Sequence, residues 1–413
     1  MPLPIPAVLR WLAAVAVLGG SLAAQENADL EGIQREVRVM VEEVRGQSFK
    51  EAVPMQRLTA DQSRAFLRRK MDQEYPAEAI AAEQAAYRHF GLLRPGENLE
   101  SLFVELMVER AAGFYDPEAG RLFLVEGQSW RGPVVAHELA HALQDQIFDV
   151  DRMLRAARGD DDRLRAVQAM IEGEAMWVAG RVAARPAASR LMRDLERAAP
   201  PSSSDRQAGP GERSIGSFPD VLQAELSFPY TAGLAWTEAI VSGPAGISRL
   251  NDLFREPVDS SEQILHPAKS LAPRDLPTPP PRTALPDLTQ DGYRLAKIGT
   301  WGEFGMRLVL LPPEGDLPPA ASEGWDGDLF GVYSPAEGGT VLVWLTIWDT
   351  GNDAAEFEIS ASTWMRGRHA SRDGFSIERR SAAVVIVEGL EPAVAARAMG
   401  SVWEAWPDRE AKP

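Results

Sequence analysis

Pro133-Val134-Val135-Ala136-His137-Glu138-Leu139-Ala140-His141-Ala142-Leu143 is the stretch that decides how this chain is read. It holds an H-E-x-x-H pattern inside an almost wholly apolar segment. On a helix, residues four apart project from one face, so the two imidazoles point the same way, about 40° from each other. Glu138 follows His137 by about 100°, close enough to reach a water held between the rings. Two neutral nitrogen ligands and a carboxylate base are what a zinc hydrolase needs. The surrounding valines, leucines and alanines predict a helix buried on most sides. Two histidines and a glutamate in such a helix are costly without partners, and a bound cation offsets that cost. The chain has only five histidines, and two stand here.

A site with two histidines is incomplete, since a hydrolytic zinc has three protein ligands and one open position. There is no cysteine, so disulfides, thiolate ligands and a catalytic thiol are excluded. The third ligand must be Asp, Glu or His. The strongest candidate lies in Met170-Ile171-Glu172-Gly173-Glu174-Ala175. Glu172 and Glu174 point about 200° apart on a helix, so only one can face the metal. The face of Glu172 carries Gln168, Ala169, Ala175 and Ala179, small enough, with Gly173, for close approach to the first helix. The face of Glu174 carries the bulkier Met170, Trp177 and Val178. Glu172 is therefore the expected ligand, with one Zn²⁺ per chain.

With these residues in place the chain resembles the gluzincin metallopeptidases, whose third ligand is a glutamate on a downstream helix. The phrases His137 to Gln146, Ile171 to Ala175 and Ser260-Ser261-Glu262-Gln263-Ile264-Leu265-His266-Pro267 are similar to a group of uncharacterised exported bacterial zinc-peptidase-like proteins. The resemblance implies an α+β fold: a mostly helical zincin-like catalytic domain with a short β-sheet, followed by a C-terminal α+β domain. It also implies a peptide or protein substrate and Glu138 as general base. A donor from a later helix would steady the oxyanion, with Tyr230 the first candidate and His266 the second. Nothing like the residues that recognise a free substrate amino terminus is evident, so an endopeptidase fits better than an aminopeptidase. The alternatives are a non-catalytic cell-envelope scaffold with a structural zinc site, and a hydrolase of non-peptide amides or esters. Asp145, four residues after His141, is a candidate partner for a ligand imidazole.

The rest of the 413-residue chain supplies context. It carries 43 basic and 60 acidic residues, a net charge of −17. Such a surface argues against nucleic acid and anionic membranes as partners. Arg10 precedes the apolar run Trp11 to Leu18, and Ser21-Leu22-Ala23 offers a small-x-small cleavage site. Residues 1–24 thus read as a secretory signal peptide, giving a periplasmic or secreted bacterial protein with no stable membrane insertion after its removal.

Leu30, Ile33, Val37, Val41 and Val44 predict an amphipathic helix over about residues 27–50. Thr59 and Gln62 predict a capping box opening another, and Ala77 to His89 a third. Ala112 to Val125 reads as strand, turn, strand just ahead of the H-E-x-x-H helix. Asp149 to Asp162 reads as a polar bridge, a second ligand-bearing helix follows, and 199–215 reads as a flexible loop. Phe228-Pro229-Tyr230 is expected to precede a helix from Ala232 to Val241. The expected domains are 25–270, a proline-rich linker at 271–289, and 290–413. In the last, Leu308–Leu311, Phe330–Tyr333, Val341–Trp348 and Ala383–Val387 read as strands, and Asp353–Met365 and Pro392–Trp406 as helices. Trp325, Asp326 and Asp328, with Trp348 and Asp349, are read as turn and core residues or as a ligand-binding edge.

Overall fold

The computed structural model describes residues 30–74, 77–94, 96–110, 112–126, 132–186, 188, 219–310, 321–335, 337–368 and 374–407. The expected signal segment and the loop 199–215 lie outside them. The fold is α+β, as the sequence predicts, with one sheet of three strands and one of five.

Helix α1 (Leu30–Arg45) buries Ile33, Val37, Met40 and Val41 on one face. It stops at Gly46, whose φ of 65° only glycine adopts without strain. Strand β1 (Met55–Leu58), which the sequence reading missed, leads into the capping box. There the Gln62 N–H donates to Thr59 Oγ1 at 3.2 Å and the Thr59 N–H to Gln62 Oε1 at 2.9 Å, opening α2 (Ala60–Glu74). After α3 (Ala77–His89) and α4 (Leu99–Arg110), strands β2 (Gly113–Asp116) and β3 (Arg121–Val125) form the expected hairpin. The order is β1-β3-β2, with β1 parallel and β2 antiparallel to β3.

Helix α5 (Gly132–Phe148) carries the H-E-x-x-H motif, and α7 (Asp161–Ala183) carries Glu172. Between them the expected polar bridge contains a helix, α6 (Val150–Ala156), which turns Val150, Met153 and Leu154 inward. Helix α8 (Asp220–Ser242) continues past Pro229, so Tyr230 lies inside a helix and not at its start. The Gly173 expectation also needs correcting. Gly173 faces α8, not α5: a Cβ at Gly173 would lie 2.0 Å from the carbonyl carbon of Gly233. One at Gly233 would lie 2.0 Å from the Ala169 carbonyl oxygen. The two backbones touch, which is possible only because both positions lack a side chain.

Helices α9 (Gly246–Arg255) and α10 (Ser261–Leu265) follow. The C-terminal sheet has the order β4-β5-β6-β8-β7, entirely antiparallel, from β4 (Tyr293–Gly299), β5 (Trp325–Pro335), β6 (Val341–Trp348), β7 (Phe375–Arg380) and β8 (Ala383–Glu388). Leu308 to Leu310, read as a strand, end a helix instead, α11 (Gly302–Leu310). A short apolar run does not by itself distinguish the two. Helices α12 (Gly351–Arg368) and α13 (Pro392–Ala405) complete the chain. Every residue of β6 is buried because both faces are covered. Trp344 and Trp348 pack on one side, and Val343, Leu345 and Ile347 pack with Val402 and Trp403 of α13 on the other.

The first of these cores continues into the helical part. The Phe90 ring meets Trp301, Phe330 and Trp344 edge-on at 4.9, 5.2 and 5.0 Å. The proline-rich stretch is also packed: Ala284, Leu285 and Leu288 are buried and the Thr278 N–H donates to the Asp326 carbonyl at 2.5 Å. Three aspartates at the start of α7 make further links. Asp160 accepts from Thr300 Oγ1 at 2.9 Å, Asp161 pairs with Lys297 at 2.9 Å, and Asp162 accepts from the Ser261 N–H at 3.0 Å. The helix that supplies Glu172 is thus anchored at its N-terminus to β4, the turn before α11 and the start of α10.

Gly173→Ala is expected to force α7 and α8 apart and cost more than about 3 kcal/mol, since backbone atoms cannot repack as side chains do. Chemical unfolding checks this, and a variant as stable as the parent would contradict the close crossing.

Candidate metal centre

Helices α5 and α7 bring three of the expected residues together. His137 Nε2 lies 3.0 Å from His141 Nε2 and 3.2 Å from Glu172 Oε2, and His141 Nε2 lies 3.3 Å from the same oxygen. The three atoms form a nearly equilateral triangle of donors. In a four-coordinate zinc site, ligands about 2.0–2.1 Å from the metal stand about 3.3 Å from one another. All three side chains are buried, and as a group they can hold a metal ion. Glu174, two residues on, points away to Arg45 of α1, as the opposed helical faces require.

Glu138 is fully buried, and neither of its carboxylate oxygens accepts a hydrogen bond of normal geometry. Burial pushes its carboxyl well above the usual range, with only partial relief from His141 and the Tyr115 backbone. Burial likewise opposes the charge on Glu172. There His141 and hydrogen bonds from both imidazoles prevail and hold the carboxyl below its ordinary value. Burial lowers His137, with Glu172 opposing. In His141 burial is outweighed by Glu172, Glu138 and Gln144, which lift it to about 9.

Glu138, His141 and Glu172 line a cleft of about 520 Å³, counted to its open mouth. Its walls include Tyr115 and Pro117 from the β2–β3 hairpin, Val150 and Leu154 from α6, and Ile171. The hairpin ahead of the motif helix therefore does border the site.

Other expectations fare differently. The partner of the His141 imidazole is Gln144, whose Oε1 lies 2.9 Å from Nδ1. Asp145, expected in that role, instead accepts a hydrogen bond from the Tyr115 hydroxyl at 3.0 Å and lines the cleft. Both residues follow His141 by about one helical turn, and only the position of α7 decides between them. Tyr230 is buried with its ring centroid 6.2 Å from that of His137, beside the ligands and outside the cleft lining. His266 is held by Glu303 of α11 at 3.0 Å and does not line the cleft. Trp325, Trp348 and Asp328 are core residues: Asp328 accepts from the Trp301 and Gly302 N–H groups and from the indoles of Trp325 and Trp344. A second acidic group, Glu262, Asp275 and Asp349, already has its cation, since Lys269 Nζ lies 2.6, 2.9 and 3.1 Å from the three carboxylates.

Comparison with known proteins bears on the other end of the chain. A family model described as a domain of unknown function (DUF8575) matches residues 293–399, which span the five-stranded sheet. No curated protein and no solved structure matches the chain.

The hydrogen bond to Glu303 raises His266 above its ordinary value. A histidine whose folded pKa is raised contributes stability that is present below about pH 6.5 and lost as pH rises through the folded value. His266→Gln is therefore expected to lower the urea midpoint more at about pH 6 than at about pH 9, without changing metal content. Equal losses at both would show that the pair contributes no such linkage.

Proposed function

We propose that this chain is an exported zinc-dependent hydrolase, most simply an endopeptidase. The observation that carries the reading is Glu138: a buried carboxylate with no hydrogen bond of normal geometry, at the wall of an open cleft, beside a triangle of three metal-type donors. A purely structural metal site has no use for such a group, and leaving it unpaired is costly. The donor set fits zinc by chemistry as well as spacing, with two imidazoles and one carboxylate leaving a fourth position open.

His137 Nε2, His141 Nε2 and Glu172 Oε2 would hold the ion. When bound, it supplies Lewis acidity and lowers the pKa of a water towards about 7. Glu138 takes the proton of the attacking water on its carboxylate and returns it to the leaving amine. Tyr230, beside the His137 ring, remains the proposed donor to the developing oxyanion, and the tie between His266 and Glu303 removes His266 from that role. The cleft mouth beside the β2–β3 hairpin suits an extended peptide. Export rests on residues 1–24. Among the described residues no helix is long and apolar enough to cross a membrane.

Glu138→Gln preserves shape and removes the base. Its zinc content is expected to match the parent, and cleavage of a proteome-derived peptide library to fall by at least about 10²-fold. Undiminished cleavage would remove Glu138 from this role. A parent that binds zinc but cleaves neither peptides nor simple amides and esters would favour the scaffold reading.

A further inference from the structure

Behind His141 a chain of buried polar groups crosses three helices. Arg45, the last residue of α1, donates from Nε to Glu174 Oε1 on α7. The other oxygen of Glu174 accepts from Gln144 Nε2 on α5, and that same nitrogen donates to the Ile171 carbonyl at 2.9 Å. Gln144 Oε1 then faces His141 Nδ1 at 2.9 Å. Arg45, Glu174 and Gln144 are each no more than 2 % exposed, so water does not substitute for any of these partners.

The direction of every bond in this chain is fixed by chemistry. A guanidinium only donates and a carboxylate only accepts. Gln144 must therefore turn its amide nitrogen towards Glu174, where the Ile171 carbonyl also requires a donor. Its oxygen is left for His141, which must donate from Nδ1. The unprotonated nitrogen of a neutral His141 is then Nε2, the atom that faces His137 and Glu172. His137 has no such support, since its Nδ1 is buried without a partner.

We infer that Arg45, Glu174 and Gln144 form a positioning set that holds His141 as the Nδ1–H tautomer and so makes it the preorganised ligand of the metal centre. The inference rests on the zinc reading and adds to it a role for α1, which reaches the ligand His141 through Glu174 and Gln144. It also gives Glu174 a function distinct from that of Glu172: one glutamate meets the ion and the other orients the opposite imidazole. Groups behind a ligand imidazole are worth about 10- to 100-fold in metal affinity.

The test is zinc affinity, measured on the full chain by competition with a chromophoric chelator. In Glu174→Gln, Arg45 keeps the new carbonyl, so the new amide nitrogen faces Gln144. The Gln144 nitrogen then meets a donor on one side and the Ile171 carbonyl on the other, so Gln144 either loses its tie to residue 174 or turns and presents its own nitrogen to His141 Nδ1. Zinc binding is expected to weaken by about 10- to 100-fold, and the Nδ1–H proton of His141 in the zinc-loaded protein to lose its hydrogen-bonded downfield shift and its protection from exchange. Arg45→Met added to Glu174→Gln frees that amide to turn back. This double variant, which leaves no unpaired buried charge, is expected to bind zinc within about threefold of the parent. A merely structural role predicts no such recovery. Parent-like affinity in the single variant, or no recovery in the double, would overturn the assignment. If the single variant does not fold, Gln144→Leu takes its place, and parent-like affinity there overturns the assignment equally. A parent chain that binds no zinc would overturn the proposed function and this inference with it, whereas zinc bound equally by every variant would overturn the inference alone.

Discussion

Taking two imidazoles and three carboxylates out of water within two helical turns is the constraint on which this structure depends. Each buried ionisable group must find a partner or change its protonation state. Glu172 finds two imidazoles, Glu174 finds Arg45 and Gln144, and His141 finds Gln144 and Glu172. Glu138 and His137 Nδ1 find no hydrogen bond of normal geometry. The pattern is selective: the carboxylates of Glu172 and Glu174 are satisfied, while that of Glu138 at the cleft wall is left with its affinity for a proton. That is the arrangement expected of a site built to hold a cation and move a proton beside it.

Helix α7 makes the arrangement possible. Its N-terminal aspartates fasten it to β4, α10 and the turn before α11. One turn on, Arg165 is clasped by both carboxylate oxygens of Glu225 on α8 at 3.0 Å and bonds the Trp301 carbonyl at 3.0 Å. Its middle is pressed against α8 through Gly173 and Gly233, and there Glu172 and Glu174 diverge to opposite sides. Burial alone would let a helix slide or rotate. These fixed points, made by charge at one end and by backbone contact in the middle, set the depth and rotation that aim Glu172 at the histidines. The five-stranded sheet, spanned by the DUF8575 match, serves the site as the body to which that helix is fastened.

Much of this was legible in the sequence wherever the signal was local. The H-E-x-x-H helix, the divergence of Glu172 from Glu174 and the Thr59–Gln62 capping box all follow from spacing along one helix. The strands that were missed, β1, β4 and β7, are those with exposed polar residues and little apolar alternation. Asp160, Asp161 and Asp162 look like a solvated bridge until the partners Thr300, Lys297 and Ser261, about a hundred or more residues away, are known. Gln144 and Asp145 are equally placed on the helix, and Gly173 gives no hint that its neighbour is Gly233. In each case the deciding contact is between elements far apart in the chain, and a helix face states only what direction a residue points, not what it will meet.

His137, His141 and Glu172 are proposed to bind one zinc ion. Zinc-edge X-ray absorption on the chain purified without added metal, with total zinc measured on the same sample, tests it most directly. About one zinc per chain is expected, with two imidazoles and oxygen donors at about 2.0–2.1 Å. Metal-free protein that takes up no zinc, or zinc bound without imidazole scattering, would contradict it.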